Sequence, residues 1–141
     1  MTAALSAQDA LVAVMITTSA ADERLSTLEL LSITRLIEHL PAFDGYDREQ
    51  IRGVSALVFD MLEADDGLDA IIGLVKEALP NDFTETAYAL ACDVAAADRN
   101  VQVTELRWLQ ILRGDLAVDP LAAAAIERGA RARYKAFPSG A

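Results

Sequence analysis

Cysteine and histidine are almost missing from this chain: Cys92 and His39 each stand alone among 141 residues. No intrachain disulfide can form, and the Cys/His ligand sets of ordinary zinc sites cannot be assembled. Cys92 sits in an Ala-Leu-Ala context and reads as a small buried hydrophobe, in keeping with a reducing compartment. His39 falls just before Pro41, at a helix C-terminus, where an imidazole complements the helix dipole. Nucleophile elbows and glycine-rich phosphate loops are missing too, and no Ser-His-Asp set assembles around the one histidine. No enzymatic activity is expected. Nor does any apolar run reach the roughly 20 residues that span a bilayer. The N-terminus has no basic n-region, and Asp9 interrupts its first apolar stretch. No signal peptide is therefore expected, and the expected location is cytoplasmic.

Positive charge is scarce as well: 12 Lys and Arg face 22 Asp and Glu, giving a net charge of −10. Such a surface repels nucleic acid. The cations are unevenly spread, with Arg128, Arg131, Arg133 and Lys135 crowded near the C-terminus. Arg128, Arg131 and Lys135 share a helix face by their i, i+3, i+7 spacing. They either complement the dipole of a last helix or touch an anionic membrane surface.

What the chain has in abundance is apolar helix. Hydrophobic residues make up 53% of it, with only four prolines and seven glycines, which fits one folded domain with a core of its own. A segment also occurs twice, 76 positions apart: Ala20-Ala21-Asp22, Leu25 and Glu29-Leu30 recur as Ala96-Ala97-Asp98, Val101 and Glu105-Leu106. The register extends to Ala13 with Ala89, Leu36 with Leu112 and Leu40 with Leu116. Repeated self-similarity marks a repeated supersecondary unit. Here the unit is an apolar helix, a short turn led by Asp, and a second helix with Glu in its first turn.

Ser6 and Asp9 form a capping box that opens a helix ending near Ala20. Ser26 and Glu29 form another, opening a helix whose stripe of Leu30, Ile33, Leu36, Ile37 and Leu40 must be packed; Pro41 stops it. A turn with Gly45 follows. Asp47 then caps a helix burying Ile51, Val54, Val58, Met61 and Leu62. Asp65-Asp66-Gly67 ends that helix, with Gly67 taking the left-handed conformation. A helix over 68–79 is closed by Pro80. Asp82 and Glu85 form a third capping box for the helix through Tyr88, Cys92 and Ala96. A helix with Trp108 runs to about Leu116, and Asp119-Pro120 opens a last Ala-rich helix. The expectation is all-α: a single compact domain over 1–137, of about seven helices in two pseudo-symmetric helix–loop–helix halves, with a frayed tail at 138–141.

The repeated carboxylates are the one constellation with chemistry. In the second copy Asp98 follows a helix end, Glu105 lies in the first turn of the next helix, and Asp93 stands one turn before the corner. Oxygen ligands brought together this way suit a hard divalent cation of the Ca²⁺ or Mg²⁺ class. The first copy offers Asp22, Glu23 and Glu29, with Thr17 where the second has Asp93. Neither corner is an EF-hand, since Glu falls at the eighth position and Thr27 or Val103 replaces the glycine. A second reading stays open: Glu29 answers Ser26 in a capping box, and Asp22 makes an Asx-turn.

These corners resemble the TerB-type tellurite-resistance family, an all-helical fold also found beside J-domains in a DjlA-type co-chaperone. The run Ala95-Ala96-Ala97-Asp98-Arg99-Asn100-Val101-Gln102-Val103-Thr104-Glu105-Leu106 carries the resemblance most strongly. Glu85-Thr86-Ala87-Tyr88-Ala89-Leu90-Ala91 and Ile126-Glu127-Arg128-Gly129-Ala130-Arg131-Ala132-Arg133 also fit. The resemblance implies that Asp22 with Glu29 and Asp98 with Glu105 are metal-binding pairs, in a protein of tellurite or stress response. Family members commonly carry Gly after the Asp, where this chain has Glu23 and Arg99.

Two further features have paired readings. Trp108 is either a packing residue of the core or an anchor for a protein partner. The acidic run Glu63, Asp65, Asp66 and Asp69 is either a solvated helix cap or a weak ion site. A protein partner is expected if the acid pairs are only helix caps and the module is a scaffold.

Overall fold

The computed structural model describes residues 5–21, 27–97 and 103–138. Those residues form seven α-helices: α1 (Ala7–Ala20), α2 (Thr27–His39), α3 (Gln50–Leu62), α4 (Gly67–Ala78), α5 (Thr84–Ala97), α6 (Val103–Asp115) and α7 (Pro120–Arg133). Short 3₁₀ turns at Pro41–Phe43 and Asn81–Phe83 precede α3 and α5, and no strand occurs among the described residues.

The architecture follows from α1. Beyond Asp9 it carries no charged side chain, and every residue from Ala10 to Ala20 is buried. A helix that is apolar all round has no face to give to water and must be enclosed. Accordingly α2, α3, α4, α5 and α6 all pack against it. The second hub is α5, which buries Ala87, Tyr88, Leu90, Ala91, Cys92, Val94 and Ala95 and touches α1, α2, α6 and α7. The outer helices are amphipathic. α3 turns Val54 and Val58 inward, and α4 turns Ile71, Ile72 and Val75.

Local signals set most of the helix ends. Ser6 Oγ accepts the Asp9 N–H at 3.0 Å while Asp9 Oδ2 accepts the Ser6 N–H at 3.3 Å, so the capping box is closed in both directions. Asp9 Oδ1 also accepts the Tyr46 hydroxyl at 2.8 Å, which ties the start of α1 to the turn before α3. Asp119 accepts the N–H groups of Leu121 and Ala122 at 3.1 Å each, with Pro120 in the first helical position. α2 stops at His39, short of Pro41.

Elsewhere the helix ends and faces differ from expectation. Gly67 does not close α3 in a left-handed conformation. It is the buried first residue of α4, and a Cβ there would stand 2.2 Å from the Met61 carbonyl oxygen. Close approach of two backbones, rather than positive φ, is what demands glycine. Asp47 does not cap α3 directly; its carboxylate accepts the Glu49 N–H at 3.0 Å, and a turn intervenes before Gln50. No Asp82 cap opens α5: a 3₁₀ turn leads into the helix, with the Thr84 hydroxyl donating to the Asn81 carbonyl at 3.2 Å. Leu30, placed by its spacing in the packed stripe of α2, is 47% exposed. Ser26, and with it the second capping box, lies outside the described residues, as does the tail beyond Pro138.

Candidate functional site

Leu30 is exposed because its neighbour takes its place. The buried face of α2 is Glu29, Ile33 and Ile37, stepping by four residues, with Ser32 alongside. Glu29 lies in the first turn of the helix and is 0% exposed. The second copy repeats this. On α6 the buried residues are Glu105, Trp108 and Leu112, with Glu105 at 0% and Leu106 at 51% exposure. At both corners the Glu-Leu dipeptide thus turns its acid inward and its leucine outward, the reverse of the ordinary partition. Burying an ionised carboxylate costs several kcal/mol unless pairing or ligation compensates. Neither glutamate is without a partner in the chain. Both lie at a helix N-terminus, where the dipole favours a negative charge by about 0.3–1 kcal/mol.

The end of α1 leading to the first corner is polar and closed to water: Thr17, Thr18 and Ser19 are all buried. Thr17 and Thr18 donate to the carbonyls of Ala13 and Val14 at 2.7 and 2.8 Å. Thr18 Oγ1 also accepts the Trp108 indole N–H at 2.9 Å, which links α6 to α1. Trp108 is fully buried. It is a core residue with its one donor satisfied, and the partner-anchor reading fails.

The remaining predicted ligands fare differently. Asp22 and Asp98, with Glu23 and Arg99, lie outside the described residues. Asp93 is ion-paired through Oδ1 with Arg133 of α7. Among the described residues no three His, Cys, Asp or Glu side chains are gathered as a metal cluster. The acidic residues Glu63, Asp65, Asp66 and Asp69 are all exposed, as a solvated cap would be.

A groove that the sequence reading missed lies over α5, between α6 and α7, with a volume of about 320 Å³. Its polar end is a hydrogen-bonded set. The Tyr88 hydroxyl donates to Glu127 Oε2, and Arg113 Nη1 donates to the same oxygen at 3.1 Å. Burial raises the Tyr88 hydroxyl pKa further above its ordinary range, and the hydrogen bond to Glu127 adds to this. Burial likewise pushes the Cys92 thiol, which lines the groove, up to about 11. Both shifts hold the groups protonated, so neither is an activated nucleophile or base at neutral pH. The only sequence trace of the groove is the stripe Tyr88, Cys92, Ala95, Ala96 on α5, which by itself reads as ordinary helix packing.

Of the basic C-terminal residues, Arg133 is drawn to Asp93, while Arg128, Arg131 and Lys135 line one depression at the end of α7. No helix among the described residues is long and apolar enough to cross a membrane. Comparison of the chain with family models, with curated proteins and with solved structures finds no match.

Proposed function

We propose that the chain is a non-enzymatic, TerB-like module of a tellurite or stress response, with two pseudo-symmetric helix–loop–helix corners that each hold a divalent cation. One observation carries this reading: Glu29 and Glu105, 76 positions apart in a repeated segment, are both completely buried while the leucines beside them face water. A fold that twice prefers an acid to an adjacent leucine in its interior has a use for the acid. In this reading Glu105 acts with Asp98, and Glu29 with Asp22, as oxygen ligands for an ion of the Ca²⁺ or Mg²⁺ class, supplemented by backbone carbonyls and water. Asp93, already paired with Arg133, is left out of the ligand set. A bound ion would fix the angle between the two helices of a corner and so the surface offered to a protein partner.

Thermal melting of chelator-treated protein tests this, with Ca²⁺, Mg²⁺, Mn²⁺ or Zn²⁺ added to wild type, Asp98→Ala and Glu105→Gln. An ion that binds only the native state stabilises it by about 2.7 kcal/mol at 100 times its dissociation constant. The expected result is a rise in melting temperature for wild type that is smaller in both variants, which keep only the Asp22–Glu29 corner. No rise with any ion would overturn cation binding. The chain would then be a scaffold whose acids are structural, a reading favoured by the half-exposed Leu28, Leu30 and Leu31 on α2.

A further inference from the structure

The groove between α6 and α7 and the basic depression on α7 share one residue, Arg131. On the groove side most of the lining is small or aliphatic: Cys92, Ala95 and Ala96 of α5, Leu106 and Leu109 of α6, and Ala130 of α7, with Gln110 among them. On the other side are Arg128 and Lys135. Arg113 and Arg133, the other arginines of this region, are neutralised by Glu127 and Asp93. Arg128, Arg131 and Lys135 form no ion pair among the described residues. In a chain of net charge −10, one uncompensated cation, Arg131, thus lines an apolar trough, and two more share the adjoining depression with it. Like charges so close repel one another, and an anion placed among them relieves that repulsion. Glu127, one helical turn before Arg131 on α7, also lines the trough, and its charge is already engaged by Arg113 and Tyr88.

We propose that this groove binds a single-chain amphiphilic anion. Its alkyl chain lies along the Ala95, Ala96, Leu106 and Leu109 surfaces, and its carboxylate or phosphate head is held by Arg131 with Arg128 and Lys135 behind it. The volume of about 320 Å³ stands at the small end of ligand sites, suiting one chain rather than a two-chain phospholipid. The proposal does not depend on cation binding, since the groove's polar residues are Tyr88, Arg113, Glu127 and Arg131 and not the corner acids, although Ala96 and Leu106 stand beside the second corner.

Calorimetric titration of the full chain tests it, using laurate and dodecyl phosphate below their micelle concentrations, dodecanol as the uncharged counterpart, and phosphatidylglycerol vesicles. Expected is 1:1 binding of either anion, with dodecanol much weaker. Arg131→Glu should weaken binding about tenfold or more, as expected for loss of a charge-assisted contact. Leu106→Glu, at a half-exposed position that tolerates charge, should do the same by setting a negative group at the mouth. Arg52→Glu, an exposed site on α3 away from the groove, should leave binding unchanged. Laurate and dodecyl phosphate binding equally to wild type and Arg131→Glu, or not at all, would overturn the proposal. So would binding to vesicles alone, which would make the basic residues a membrane-contact surface instead.

Discussion

Thr18→Val puts the link between α1 and α6 to a direct test. The substitution keeps shape and removes the acceptor of the 2.9 Å bond from Trp108 Nε1. Both residues are fully buried, so the indole N–H has no water to turn to. An orphaned buried donor costs about 1–3 kcal/mol. The hydroxyl's own bond to the Val14 carbonyl is also lost, but that oxygen belongs to the helix ladder and forfeits little. A net loss of about 2 kcal/mol corresponds to a melting temperature lower by roughly 5–10 °C in a chain of this size. Trp108 is the only tryptophan, so its fluorescence reports unfolding in urea without a label, and circular dichroism gives an independent transition. A double-mutant cycle with Trp108→Phe, followed by circular dichroism, isolates the pair and should return a coupling of about 1 kcal/mol. If Thr18→Val melts within about 1 °C of wild type and the coupling is zero, the hydrogen bond contributes nothing and the account of this core is wrong.

Two further predictions follow from the packing and from the buried thiol. Gly67→Ala sets a Cβ 2.2 Å from the Met61 oxygen and 2.9 Å from the Leu62 Cα, and should lower the urea unfolding free energy by about 1–3 kcal/mol. Gly73→Ala, with open space around it inside α4, should raise it by about 0.5–1 kcal/mol; equal stability of both variants would refute the close-approach argument. The Cys92 thiol ionises near 9.0 when unfolded and near 11 when folded, chiefly because it is buried. The unfolded chain therefore loses this proton first, and its contribution to stability, present below pH 9, is lost as the pH rises to about 11. Unfolding free energies measured across that range should fall with pH, less steeply in Cys92→Ala, and an unchanged slope in the variant would remove the thiol from the account.

Much of the fold could be read from the chain because its signals are local. Ser6 with Asp9 and Asp119 with Pro120 form contacts within a single turn, and the uncharged run after Asp9 announces a helix that must be enclosed. The failures arise where the deciding partner is distant in sequence. Asp65-Asp66-Gly67 looks like a helix stop in isolation, and only the crossing of α4 past the end of α3 shows that the glycine makes room. Of the α2 stripe, Ile33 and Ile37 are buried and Leu36 and Leu40 pack on the core, but Leu30 faces outward: leucine outranks glutamate in any hydrophobic count, and counting does not anticipate a buried carboxylate. The recurrence of Glu29 as Glu105 marked both positions as unusual, but a capping role explains such residues equally well on sequence grounds. Tyr88, Arg113 and Glu127 come from three helices, and no spacing rule links them.

The enclosure of α1 has a consequence for how the molecule is made. This helix leaves the ribosome before the six helices that follow it, yet α5 and α6, which help cover it, are synthesised only some 70 to 100 residues later. Until then α2, α3 and α4 cover only part of its apolar surface, and closing the distant contacts is the slow step of folding. The duplicated sequence therefore does not yield two separable pieces. Cut at the boundary between the copies, the first would leave α1 without its cover of α5 and α6 and the second would lack its support, so the seven helices should fold as one unit.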